Sequence, residues 1–132
     1  MERRNTLQRK LVLGAVRSLH HPDAEEVYRE VAETGIGKAT VYRNLNLLAE
    51  RGDIRRIDAC DGPAHFDGRT DAHYHLHCRI CGKLFDAPMQ PLEAPERYLE
   101  QTDGFTVEGH ELVFVGICSD CKNKQKGDNK NG

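Results

Sequence analysis

The sequence predicts an α+β fold in two parts, and three observations carry that prediction. The first half holds three stretches of helical periodicity followed by two short strand-like stretches. The second half opens on an alternating run, His73 to Cys78. It also holds two Cys-x-x-Cys pairs, Cys78-Arg79-Ile80-Cys81 and Cys118-Ser119-Asp120-Cys121, with 36 residues between them.

Leu7, Leu11, Ala15 and Leu19, with Val12 and Val16 beside them, recur at helical spacing, so Thr6 to Leu19 reads as a helix. His20-His21-Pro22 breaks it. Asp23 and Glu26 then form a capping-box pattern, and Ala24, Val27, Tyr28 and Val31 carry a second amphipathic helix to about Thr34. Gly35-Ile36-Gly37 is a short turn. A third helix runs from Lys38 to Arg51, with Val41, Leu45 and Leu48 as its buried stripe and Gly52 placed to end it. Ile54 to Asp58 and Ala64 to Asp67 read as strands joined by a loop containing Asp61-Gly62-Pro63. Three helices and a hairpin are the layout of a winged helix-turn-helix, with the third helix as the reading element. Lys38, Thr40, Tyr42 and Arg43 on that helix, with Arg55 and Arg56 in the hairpin, are the candidate DNA contacts.

In the second half, His73, His75 and His77 share one face of a strand. Lys83 to Asp86 reads as its partner, Pro95 to Thr102 as a helix, and Phe105 to Glu108 and Glu111 to Ile117 as two further strands. The expected organisation is a winged helix over 1–68, a small α/β unit over 69–122, and a polar, disordered tail over 123–132.

Two Cys-x-x-Cys pairs offer four sulfurs to one ion, the closed tetrahedral set that structural Zn2+ takes. Cys60 is left over and reads as a free thiol in a loop. A closed thiolate cage has no place for a catalytic water, and no His-Glu-x-x-His or His-x-Glu signature accompanies it, so a zinc hydrolase or deaminase is disfavoured. A zinc-ribbon interaction module leaves the first half unexplained. No enzyme activity and no small-molecule substrate are expected.

The net charge is −2, but it is uneven. Residues 1–60 carry 11 Lys and Arg against 9 Asp and Glu, whereas residues 61–132 carry 8 against 12. Phosphate contacts need a local basic face rather than a basic protein, and the third helix with the hairpin supplies one. No run approaches the ~20 apolar residues of a membrane helix, and no signal-peptide core follows Met1, so a cytoplasmic protein is expected.

His73 and His75 on one strand face suit a second ion, with Asp67 and Asp86 on flanking segments. Imidazole with carboxylate accommodates Fe2+, Mn2+ or Zn2+. His65 and His77 read as ordinary polar strand residues.

The chain resembles the ferric uptake regulator family over about residues 6–122. The likeness rests on His21-Pro22-x-Ala24-x-x-x-Tyr28, Ala39-Thr40-Val41-Tyr42-Arg43-Asn44-Leu45 and His65-Phe66-Asp67. It continues through His73-Tyr74-His75-Leu76-His77-Cys78-x-x-Cys81-Gly82-Lys83, Phe85-Asp86 and Gly116-Ile117-Cys118-x-x-Cys121. The resemblance implies a homodimeric repressor that binds an inverted-repeat operator in double-stranded DNA, with the C-terminal unit as the dimerisation domain. It implies structural Zn2+ on Cys78, Cys81, Cys118 and Cys121. It implies regulatory Fe2+ or Mn2+ on His21, Asp67, His73, His75 and Asp86.

In the family's peroxide-sensing branch the position of Asp86 is an aspartate, as here, whereas iron-uptake regulators have a glutamate. The resemblance therefore implies hydrogen peroxide as the signal, with His21 and His73 as the imidazoles that iron chemistry oxidises. An iron-responsive repressor of iron uptake is the alternative, and a zinc-uptake regulator, which would call on a cysteine such as Cys60, comes after it. A third metal site of some iron regulators needs polar ligands where this chain has Ala72 and Tyr74. Only Glu93 and His110 match it, so that site is expected to be absent. Two departures bear on DNA affinity: the arm before Thr6 is short, and Gly37 stands where a serine commonly caps the third helix.

Overall fold

The computed structural model describes residues 2–58 and 62–130. Cys60 and Asp61 lie outside the described residues. Helix α1 (Glu2–Ser18) starts four residues earlier than the periodicity indicates, because Glu2 to Asn5 continue the helix instead of forming an arm. Helix α2 (Ala24–Val31) has the expected capping box: Glu26 N–H donates to Asp23 Oδ1 at 2.8 Å, and Asp23 N–H donates to Glu26 Oε1 at 3.2 Å. A 3-10 turn (Ala32–Thr34) follows it. Helix α3 (Lys38–Glu50) begins on Gly37, which supplies no side-chain cap, and ends before Gly52 at φ +80°. Val12, Val16, Val27, Val41, Leu45, Leu48 and Ile54 are almost wholly removed from water and form one core beneath the three helices.

Strands β1 (Arg55–Ile57) and β2 (His65–Asp67) pair antiparallel and complete the winged helix. The start of α2 is stitched to β2: Phe66 N–H donates to the Pro22 carbonyl at 2.8 Å, and Asp23 bridges to His65. A second sheet has the order β4-β3-β5, from β3 (His75–Cys78), β4 (Leu84–Asp86) and β5 (Val113–Gly116). β3 pairs antiparallel with β4, setting His75 opposite Asp86, and parallel with β5, setting Cys78 opposite Gly116. A parallel pair needs a long crossover, and residues 87–112 provide it.

That crossover is where the structure departs most from expectation. The helix expected over Pro95 to Thr102 is a single 3-10 turn, Pro95–Tyr98. Tyr98 and Leu99 stay exposed, so no apolar face packs to sustain a longer helix. The strand expected at Phe105 to Glu108 does not form; Phe105 is 79% exposed and its segment has no ladder partner among the described residues. The last strand shortens to its four paired residues. Helix α4 (Ser119–Lys130) occupies positions where a disordered tail was expected. Its first turn is set by the second cysteine pair, with Lys122 N–H donating to the Cys118 carbonyl at 2.9 Å. No described helix is long and apolar enough to cross a membrane.

Candidate metal centres and DNA-reading face

The four cysteines converge because two different backbone devices meet. Cys78 ends β3 and Cys81 follows in a turn that Gly82 completes at φ +77°. The parallel β3–β5 register then brings Cys118 alongside, two residues past Gly116. All four thiols are free, and their sulfurs lie within 4.8 Å of one another. Cys81 Sγ and Cys118 Sγ are 3.8 Å apart. A tetrahedron with ~2.3 Å zinc–sulfur bonds has edges of about 3.8 Å, so the spacing fits that ion.

The electrostatics agree. Burial alone would raise Cys78, but N–H groups of Cys118, Cys81 and Ile80 outweigh it and bring the thiol down to about 5. Cys121 is pushed up to about 12 by burial and by the neighbouring thiols. Four thiolates this close cannot all ionise without a cation among them.

The second cluster assembles from three places in the chain. His21 sits in the break between α1 and α2 with φ +47°, a left-handed backbone that costs a non-glycine residue about 1 kcal/mol or more. Asp67 ends β2. His75 opens β3 and His73 lies two residues before it, while Asp86 comes from the end of β4. One donor atom from each of the five lies within 4.8 Å of the others.

Asp67 Oδ2 is the hub, 3.2 Å from His21 Nε2, 2.8 Å from His73 Nε2 and 3.0 Å from His75 Nε2. Asp86 Oδ1 is 3.0 Å from both His21 Nε2 and His73 Nε2. Three imidazole nitrogens thus point at two carboxylates, the charge-neutralising donor set that a divalent ion takes. The three imidazoles and Asp67 are buried, whereas the Asp86 side chain is 44% exposed, so the cluster opens to solvent on that side.

Burial would raise the Asp67 carboxyl. Hydrogen bonds from His21, His75, the Arg69 N–H and His73 overcome it and hold the group far below the usual carboxylate range. Burial likewise opposes the charged form of His21, but Asp67 and Asp86 together raise it above its ordinary value.

Of the candidate DNA contacts, Tyr42 and Arg43 lie exposed on α3, and Arg43 Nη2 donates to Thr40 Oγ1 at 3.2 Å. The other cations are engaged with acids: Lys38 with Glu25 at 2.5 Å, Arg56 with Asp58 at 3.1 Å, and Arg55 with Glu111 at 3.5 Å. Arg55 therefore turns towards the second half of the chain. Asn5, Gln8 and Arg9 of α1 line a groove with Thr40, Arg43 and Asn44; the sequence reading omitted them because their partners are visible only after folding.

A third group was also missed. Asp23, Glu26 and His65 bring donor atoms within 4.8 Å of one another. The capping-box pattern carried that signal, since it sets two carboxylates side by side. Elsewhere, Tyr74 is buried and its hydroxyl bonds to His110 Nε2 and accepts from Leu92 N–H at 2.7 Å, while His110 Nδ1 meets Glu96 at 2.5 Å. Both ring nitrogens of His110 are thus taken. The second sheet also leaves Leu76, Phe85, Phe114 and Val115 exposed as neighbouring apolar groups.

The sequence pattern of the ferric uptake regulator family matches residues 1–115. The chain belongs to the ferric uptake regulator family. Its members are metal-responsive repressors, dimeric DNA-binding proteins and not enzymes. A curated relative, the peroxide-responsive repressor PerR of Staphylococcus aureus, is 33% identical over 124 residues, covering 92% of this chain and 84% of the relative. The structure of the Campylobacter jejuni peroxide stress regulator superposes with TM-score 0.72 at 30% identity, covering 91% of this chain and 93% of that one. The ferric uptake regulator of Vibrio cholerae superposes with TM-score 0.66 at 28% identity, covering 85% and 89%.

Proposed function

We propose that this repressor senses hydrogen peroxide through oxidation of its own histidines at the five-donor cluster. The observation that carries the reading is the convergence of His21, Asp67, His73, His75 and Asp86, with the short Asp86 carboxylate on the open side. Five protein donors leave room for a small molecule to approach past Asp86, and the similarity to peroxide-responsive proteins supports the same reading. When bound, iron(II) supplies the one-electron chemistry that turns hydrogen peroxide into a short-range oxidant, which manganese(II) does not.

His21 and His73 are the imidazoles assigned to take up the oxygen atom. His21 alone among the five comes from the α1–α2 break, while His75 and Asp86 come from the second sheet and His73 from the segment leading into it. Holding all five donors together therefore ties the winged helix to that sheet and fixes the separation of two reading heads in a dimer. Loss of His21 as a donor unties them. In this reading residues 1–68 bind DNA and 69–122 pair two copies, through the exposed apolar face of the second sheet. Cys78, Cys81, Cys118 and Cys121 hold Zn2+ as a closed clasp with no sensing role, and the operator is an inverted repeat.

The test is intact-mass and peptide analysis after loading with iron(II) or manganese(II) and exposure to peroxide, with DNA binding followed in parallel. A gain of one oxygen on the peptide carrying His21 or His73, with iron alone, is expected to accompany DNA release. Release without that gain refutes the oxidation chemistry. Release only on removing iron, with no response to peroxide, would make the protein an iron-level repressor instead.

A further inference from the structure

We infer that Asp23, Glu26 and His65 form a second divalent-cation site of the winged helix, separate from the five-donor cluster and suited to Mn2+, Fe2+ or Zn2+ with nitrogen and oxygen donors. Three independent features of the fold build it. The capping box sets the Asp23 and Glu26 carboxylates side by side at the start of α2, and the Asp23–His65 bridge lays β2 against them. One donor atom of each residue lies within 4.8 Å of the others. His65 is 94% buried, and its Nδ1 makes no hydrogen bond of good geometry, with the Pro63 backbone the nearest polar group to the ring outside the two acids. Buried ring nitrogens are seldom left without a partner, and an ion is one way to provide it.

The two carboxylates are not consumed by the cap. Asp23 uses Oδ1 and Glu26 uses Oε1 for their backbone bonds. Among the described residues no hydrogen bond or ion pair engages Asp23 Oδ2 or Glu26 Oε2. Two anionic oxygens and one imidazole would neutralise a divalent ion and leave its other positions to water. The three residues line a cleft of about 880 Å3, so water and ions have access. Lys83 lines the same cleft but forms no ion pair with either carboxylate. His65 and Asp67 lie two residues apart on β2, hence on one face and about 7 Å apart along the strand. The second ion would therefore sit one strand step from the five-donor cluster, bracing the backbone that carries His21 and Asp67.

The test counts Mn2+ bound to full-length protein whose cysteine cluster holds zinc, by the loss of the free-ion electron paramagnetic resonance signal. Two equivalents per chain are expected. E26Q and D23N keep an oxygen acceptor for each capping bond, so the helix survives. Each should lose one equivalent and keep the other. D86N, which removes a carboxylate of the five-donor cluster and leaves Asp23, Glu26 and His65 in place, should lose the complementary equivalent, and combining it with E26Q should lose both. A single equivalent in the unaltered protein, or unchanged stoichiometry in both E26Q and D23N, overturns the inference. Two equivalents persisting in D86N would instead count against the five-donor cluster while leaving this site standing.

Discussion

Gly68 follows the hub carboxylate Asp67, and a single methyl added there should be felt in both stability and metal binding. A Cβ at Gly68 would lie 3.0 Å from Arg17 Cγ and 3.3 Å from Arg17 Cα. Carbon atoms pack at about 3.5–4.0 Å, so the overlap is about 0.5 Å with the side chain and 0.2 Å with the backbone. The Arg17 side chain is solvent-facing and its Cγ swings aside. Its Cα belongs to α1 and moves only with the helix. The expected cost of Gly68→Ala is therefore near the lower end of overpacking, about 1–2 kcal/mol.

Gly14→Ala is the internal control. It lies in the same helix, exposed, with nothing within 4 Å of its added Cβ, and helix propensity alone should stabilise by about 0.5–1 kcal/mol. Chemical denaturation of zinc-loaded protein at one fixed concentration reads both signs. Because Asp67 adjoins the shifted residue, Gly68→Ala should also weaken Mn2+ binding at the five-donor cluster, where Gly14→Ala should not. A neutral or stabilising Gly68→Ala, or a destabilising Gly14→Ala, would refute the packing argument.

Further outcomes follow from other parts of the molecule. Leu45→Ala, at the centre of the three-helix core and fully buried, should cost about 2–5 kcal/mol in the same denaturation assay. Gly37→Ser should stabilise α3 by a few tenths of a kcal/mol, since the added hydroxyl finds an uncapped helix start and open space. Arg43→Ala should weaken DNA binding and reduce the slope of log affinity against log salt by about 1, measured by fluorescence anisotropy; an unchanged slope would remove Arg43 from the phosphate contacts. Glu96 is held below its usual 4.5 by the hydrogen bond from His110. Its contribution is thus present above that value and lost as pH falls through the depressed one, so Glu96→Gln should flatten the acid limb of the stability–pH curve.

Most helix boundaries in the first half were legible because each rests on local chemistry. The α2 capping box, the Gly52 stop and the 3.6-residue period of Val41, Leu45 and Leu48 are readable within a few residues of one another. The four-cysteine cluster was equally legible, since two Cys-x-x-Cys turns need only be brought together once. The crossover from 87 to 112 was not. Its apolar residues look like a helix and a strand, but Tyr98, Leu99 and Phe105 find no packed surface, and periodicity without burial does not sustain an element.

Composition and spacing alone determined which donor types this chain owns: paired thiols, a run of alternating histidines, and carboxylates at 67 and 86. Family resemblance was needed to join His21 to them, because it lies more than 40 residues away along the chain. Only the tertiary structure decided the geometry. The Phe66–Pro22 bond sets the α1–α2 break beside β2, and the β3–β4 register sets Asp86 opposite His75. The Phe66–Pro22 bond and the Asp23–His65 bridge also bring His65 to the capping-box pair Asp23 and Glu26; the pair was legible in the sequence, but its meeting with His65 was not. Distances between donors on different elements are fixed by backbone pairing and core packing, and neither is written in any single stretch of sequence.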